Sequence, residues 1–204
     1  MKTWIEQYLK EQARVTLALP VTEIEAWIQL LHQARQKGAQ IFACGNGGSA
    51  ANCSHFAVDL GKGASGLAAH GSGKTSATAD FSKAAAQRFK VLSLNDNVPW
   101  ITALANDYSY EDVYVEQLKN YAREGDILIG VSVSGNSPNV VKAIQWANSA
   151  KMITLGLVGN RPGNQIAHLA KRVISVDNNH YGQVEDAQMH ILHLICYAFI
   201  EGRV

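Results

Sequence analysis

The chain has 204 residues and a mass of 22.1 kDa, and its 47% hydrophobic and 17% charged residues supply a sizeable core for one domain and exclude a disordered chain. A formal net charge of +1 and a pI near 7.8 give no general attraction for nucleic acid or an anionic membrane, so neither partner is expected and an acidic ligand has to be held locally. Cys44, Cys53 and Cys196 lack C-x-x-C spacing and no stretch reads as a signal peptide or membrane span, which makes a reducing cytoplasm the expected location.

Residues 4–19 carry Ile5, Leu9, Val15, Leu17 and Leu19 at loosely helical spacing, and Pro20 closes the run. Thr22 with Glu25 three positions on reads as a capping box for a second helix, whose apolar side is Ile24, Trp27, Ile28, Leu30 and Leu31 and which Gly38 ends. Two helices ahead of the first strand have no crossover role and are predicted to pack on the sheet's flank or on another subunit. Residues 40–59, QIFACGNGGSAANCSHFAVD, then read as strand, tight loop and helix. Gly45, Gly47 and Gly48 around Asn46 let backbone N–H groups approach a ligand. Ser49 opens a helix whose N-terminus adds unpaired donors and the positive end of a dipole, an arrangement suited to phosphate.

Residues 61–87 are rich in Gly, Ala and Ser and are predicted to form a mobile excursion. Within them AAHGSGKT at 68–75 approximates a nucleotide P-loop, but no strand precedes it, so no nucleotide cofactor is expected. Farther on, residues 90–94, 126–133, 152–158 and 172–176 read as strands. Residues 98–105, 113–122, 138–150 and 183–201 read as helices, with Pro138 suited to a first turn. Near-continuous apolar strands between helices predict a doubly wound α/β domain with a parallel sheet, whose ligands sit at the carboxyl ends of the strands. After the strand at 126–133 comes a second polar loop, with the hydroxyls of Ser132, Ser134 and Ser137 at a helix start. Two such loops at equivalent strand ends point to a phosphorylated small molecule.

The segments CGNGGSAANCSHFAVDL, SLNDN, ALANDYSY, REGDILIGVSVSGNSPNVVKAI and VEDAQMHILHLI resemble the SIS (sugar isomerase) domain proteins, most closely the sedoheptulose 7-phosphate isomerase (phosphoheptose isomerase) group. The resemblance implies a five-stranded, flavodoxin-like parallel sheet, a homotetramer with sites between subunits, and a sugar phosphate held by the serine loops. It also implies a zinc ion on the positions matched by His55, Asp59, Glu185 and His193, with Asp59 as base and His193 as acid. Two of these depart from the group's pattern, which has Glu at position 59 and Gln at position 185. Asp keeps the carboxylate on an arm shorter by one methylene.

Spacing constrains that set. His55 and Asp59 are four apart on one helix and can share a ligand or a metal. Glu185 and His193 lie about 12 Å apart along a helix, so they reach one metal only if the helix starts irregularly or different subunits supply them. The stripe that spacing favours is Asp186, His190 and His193. On the resemblance, the chain reads as a phosphosugar isomerase that converts a ketose phosphate to an aldose phosphate through an enediol. Ser49, Ser132, Ser134 and Ser137 would hold the phosphate, and Asn46, Asp96 and Asn97 the sugar hydroxyls. Gly47, Gly48 and Glu185 complete the pocket. The alternative is a non-catalytic SIS module that senses a sugar phosphate or serves as a protein-binding tetramer, which needs the loops but not the acid–base pair.

Overall fold

Five apolar runs become the strands of one parallel sheet in the computed structural model, which describes residues 1–65 and 88–204. They are β1 (Gln40–Gly45), β2 (Lys90–Ser93), β3 (Ile127–Ser132), β4 (Ile153–Gly159) and β5 (Arg172–Val176). Their spatial order is β2-β1-β3-β4-β5, with Ile41 opposite Ile127 and Leu128 opposite Thr154. The direction of winding reverses between β1 and β3. In open α/β sheets the crevice outside the carboxyl ends at that reversal is where ligands bind, and the two polar loops leave those two strands.

Alternation along the strands divides the core between two faces. Ile41, Ala43, Ile127, Ile129 and Val131 face Trp27, Leu31, Phe56, Leu60, Ile191 and Ile195, while Phe42, Cys44 and Leu128 face Tyr114, Leu118, Val140 and Ile144. The first face is covered by α1 (Lys2–Leu17), α2 (Val21–Lys37), α3 (Gly48–Lys62) and α8 (Tyr181–Ile200). The second is covered by α4 (Val98–Asp107), α5 (Val115–Tyr121), α6 (Pro138–Ser149) and α7 (Gln165–Leu169). Each fully buried Leu or Ile side chain contributes about 1.5–3 kcal/mol by leaving water.

The N-terminal helices pack on the flank, α1 against α8 and α2 against α8 and β5. Glu23 accepts from both Nε and Nη2 of Arg172, at 2.7 and 2.8 Å. The capping box at Thr22 does not form. Pro20 occupies the cap position, and its carbonyl already accepts from the N–H groups of Glu23 and Ile24, so the helix begins at Val21 and Thr22 lies inside it. Gly38 ends α2 in the left-handed region at φ 66°.

Residues 61–65 are not part of an excursion. The helix α3 continues through Lys62 into a 3₁₀ turn at Gly63–Ser65, because Leu60 and Ala64 prolong its buried stripe. Residues 66–87, with the P-loop-like segment, lie outside the described residues. The short helix α7, which periodicity did not reveal, starts where the side-chain oxygen of Asn164 accepts from Ala167 N at 2.9 Å. Among the described residues no helix is long and apolar enough to cross a membrane.

Candidate active site

Gly45 ends β1 where a side chain has no room: a Cβ there would stand 2.8 Å from the Val131 carbonyl oxygen and 2.9 Å from Ser49 Cβ. This close approach sets the first loop against β3. The Gly45 carbonyl accepts from the Tyr114 hydroxyl and from Asn95 Nδ2, the latter at 2.6 Å. Asn46 forms a reciprocal amide pair with Asn139, both bonds 2.9 Å, and its Oδ1 also faces the hydroxyls of Tyr110 and Tyr114 at 3.1 and 3.2 Å. Burial pushes the Tyr114 phenol far above the usual tyrosine range, helped by the neighbouring Cys44, so it remains a neutral donor. Gly47, at φ 56°, caps α3, and the buried Ser49 hydroxyl donates to Gln188 Oε1 at 3.3 Å.

The second loop is arranged differently. Ser132 Oγ lies 3.3 Å from Ser134 Oγ and 3.0 Å from Ser137 Oγ, and it accepts from Gly135 N at 3.2 Å. Ser137 occupies the cap position of α6 but makes no side-chain cap bond; its hydroxyl turns toward Ser132. Gly135, at φ 67°, is held by Ile166 N donating to its carbonyl, which ties the loop to the start of α7. Both loops open on one cavity of about 120 Å³, lined by Asn46, Ser49, Ser132, Ser134, Ser137, Tyr181 and Glu185. Three clustered hydroxyls at the start of a twelve-residue helix form a donor array suited to a phosphate.

Two turns along α3 and α8 from this cavity is a second cluster. His55 Nε2 and His193 Nε2 lie 3.3 and 3.6 Å from the same oxygen, Asp59 Oδ2, and the two rings meet edge to face with centroids 5.0 Å apart. The three ligand atoms fall within 4.8 Å of one another. Two imidazole nitrogens and a carboxylate oxygen form a donor set that would suit a zinc-class ion. The side chains of His55 and His193 are 52% and 40% exposed, so the cluster sits on the outer face of the helix pair. Beside it Asp186, Met189, His190, His193, Leu194 and Tyr197 line a depression of about 390 Å³.

Several expected residues fall elsewhere. Because α8 is a regular helix over Tyr181–Ile200, Glu185 does not join the His55, Asp59 and His193 group but lines the serine cavity. Asp186 and His190 share the surface depression with His193 without entering that group. Asp96 and Asn97 line a separate depression with Ser93, Gln117 and Tyr121; Asp96 accepts from the Ser54 hydroxyl, and Asn97 caps α4 by accepting from Trp100 N at 3.3 Å. Asn139, Tyr110, Tyr114 and Tyr181 were not singled out in the sequence. Only Asn139 carried a signal, as an amide beside Pro138 on the stripe of α6 that Ala143 and Ala147 mark as buried.

A sheet wound in the order 2-1-3-4-5, with glycine and serine loops around one cavity at the reversal, defines the class of flavodoxin-like α/β domains, whose ligand crevice lies at that reversal. Residues 7–159 match the SIS domain family, and the chain belongs to it. It is 31% identical over 191 residues to the probable phosphoheptose isomerase of Thermoplasma acidophilum, with 94% of each chain covered. It is 32% identical over 169 residues to the phosphoheptose isomerase of Helicobacter pylori, covering 83% of this chain and 78% of that one. The solved phosphoheptose isomerase from Neisseria gonorrhoeae superposes with a TM-score of 0.81 at 25% identity, over 98% of both chains.

Proposed function

We propose that the protein is a phosphosugar isomerase of the sedoheptulose 7-phosphate type, working as one SIS domain in the cytoplasm. The observation that carries this reading is the placement of two chemically different sites along one helix pair: a hydroxyl-lined cavity at the start of α3 and α8, and a carboxylate between two imidazoles two turns farther on. The first suits a phosphate and the second suits proton transfer.

The hydroxyls of Ser132, Ser134 and Ser137 and the first N–H groups of α6 anchor the phosphate, and Ser49 and Asn46 keep the facing loop in place. Asp59 takes the proton from the carbon beside the carbonyl and returns it to the former carbonyl carbon as the enediol collapses, with Oδ2 directed to the two imidazoles and Oδ1 left to act as base. His193 passes a proton between the two sugar oxygens as the enediol forms and collapses. His55, Asp59 and His193 would hold a zinc ion, which supplies polarisation of the carbonyl when bound. The cavity and the cluster are about 12 Å apart along α8, and the cluster lies on an outward face rimmed by exposed Leu194 and Tyr197. A second copy, bringing its own cluster to this cavity, completes the site, which favours the homotetramer with sites between subunits.

Incubation with sedoheptulose 7-phosphate, read by NMR of the aldose product, tests the reading. Asp59→Asn and His193→Ala are expected to lower turnover by about 10²- to 10⁴-fold each, with binding of the phosphate ester retained. Turnover near the wild-type rate by both variants overturns the mechanism. Binding without turnover by the wild type makes the protein a sugar-phosphate-binding module.

A further inference from the structure

Glu185 projects a carboxylate into the cavity assigned above to an anion, and the surroundings of that carboxylate are specific. A Cβ on Gly48 would lie 2.5 Å from both its Cδ and Oε1 and 2.6 Å from Oε2, so the carboxylate rests on the first residue of α3. This is the positive end of a fifteen-residue helix, where a negative charge is favoured. The polar side chains of the first loop are engaged, Asn46 with Asn139 and Ser49 with Gln188. Across the cavity the hydroxyls of Ser132, Ser134 and Ser137 bond chiefly to one another and remain available as donors. The cavity therefore has two unlike walls: donors at the start of α6 and a fixed anion at the start of α3.

We infer that Glu185 is a charge filter that determines specificity at this site. It repels a bare dianion from the serine wall and compensates only ligands whose hydroxyls donate to it. The inference rests on the serine cavity being the phosphate site. A cavity of 120 Å³ leaves an anion on the serine wall within a few ångströms of the carboxylate. At such a range, in a partly buried setting, like charges repel strongly enough to change affinity by tenfold or more. At Glu185, sulfate, which has no proton to donate at neutral pH, meets only the repulsion. A polyhydroxylated phosphate ester meets the same repulsion but returns one or two hydrogen bonds to a charged acceptor, which are stronger than neutral ones. The filter keeps free anions without a proton to donate out of a site built from general anion donors, and it selects for hydroxyls near the phosphate end of the ligand.

Sulfate is the direct probe, because it is a dianion without a proton to donate at neutral pH. Its dissociation constant is measured by calorimetry at constant ionic strength for the wild type and for Glu185→Gln, which keeps the shape and removes the charge. The expected result is sulfate binding at least tenfold tighter in Glu185→Gln, with the gain shrinking as chloride is raised, while sedoheptulose 7-phosphate binds no tighter than to the wild type. Glu185→Asp, which withdraws the charge by one methylene, is expected to fall between, and it keeps the test decisive should the Gln variant misfold. Sulfate constants equal within twofold across the variants overturn the inference. So does sulfate binding to Glu185→Gln that survives Ser134→Ala, since the anion is then held elsewhere. Failure of the isomerase reading is distinguishable: sulfate then tightens as expected while no sugar phosphate is turned over.

Discussion

Replacing Gly135 by Ala strikes the serine loop at the point where its backbone is least replaceable. Two costs add. At φ 67° an L-residue in the left-handed region loses about 1–2 kcal/mol relative to glycine. The new Cβ would also fall inside the side-chain amide of Asn164, which is buried and makes two bonds: Nδ2 donates to the Gly159 carbonyl at 3.0 Å, and Oδ1 caps α7 by accepting from Ala167 N at 2.9 Å. Displacing that amide forfeits about 1 kcal/mol of capping and about 1 kcal/mol of buried hydrogen bonding. The sum is about 3–4 kcal/mol, which for a chain of this size lowers the Tm by roughly 10 °C. Thermal and urea unfolding followed by circular dichroism measure it. In the pair Gly135→Ala/Asn164→Gly the obstacle is gone, so the two losses are expected to fall short of additivity by about 1 kcal/mol or more. A Gly135→Ala protein melting within about 2 °C of the wild type would refute the reasoning.

Alkali should destabilise the protein early. Burial raises the thiols of Cys44, Cys53 and Cys196, the last also through the charge of Asp59, so folded thiols stay protonated where unfolded ones, titrating near 8.5, do not. Stability is complete below about pH 8.5 and falls above it by up to about 1.4 kcal/mol per pH unit for each thiol, with Tyr114 adding to the loss above about pH 10; urea midpoints from pH 7 to 10.5 check the slope. Tyr114→Phe removes the donor shared by Gly45 and Asn46 and is expected to cost about 1–2 kcal/mol, and an unchanged urea midpoint would contradict the network described. Zinc content after equilibrium dialysis is expected to drop sharply in His55→Ala, and retention of wild-type zinc would remove His55 from the ligand set.

Much of the sheet was legible because a parallel strand covered on both faces is a nearly unbroken apolar run, as at ILIGVS and ITLGLV, and because helices separate such runs. The strand at 172–176 was found with the boundaries the structure has. The helix α7 escaped because five residues with one buried side chain, Ile166, carry no period. At the site, the serine loop was readable from its own six residues, and the approach of His55 to Asp59 followed from their four-residue spacing. The engagement of Asn46 was not readable. Its partners Asn139, Tyr110 and Tyr114 stand 64 to 93 positions away; the pairing of β1 with β3 brings Asn139 near, and the packing of Tyr114 against Phe42 and Cys44 on the second face of the sheet brings the tyrosines. The position of Glu185 was half legible: its distance from His193 along a regular helix was a matter of spacing, but its rest on Gly48 depends on how α8 lies against α3.

That α3 and α8 run side by side in the same sense, each with one end at the cavity and a later turn at the histidine cluster, makes the pair a ruler with fixed graduations. Inserting one residue between Glu185 and His193 would rotate the imidazole about 100° away from Asp59, whereas a whole turn added to α8 alone would carry it about 5 Å past its partner on α3. Length changes in either helix are therefore tolerable only when matched in the other, turn for turn. Variation among descendants of this chain should accumulate in the loops that rim the cavity and leave the span between Glu185 and His193 unaltered.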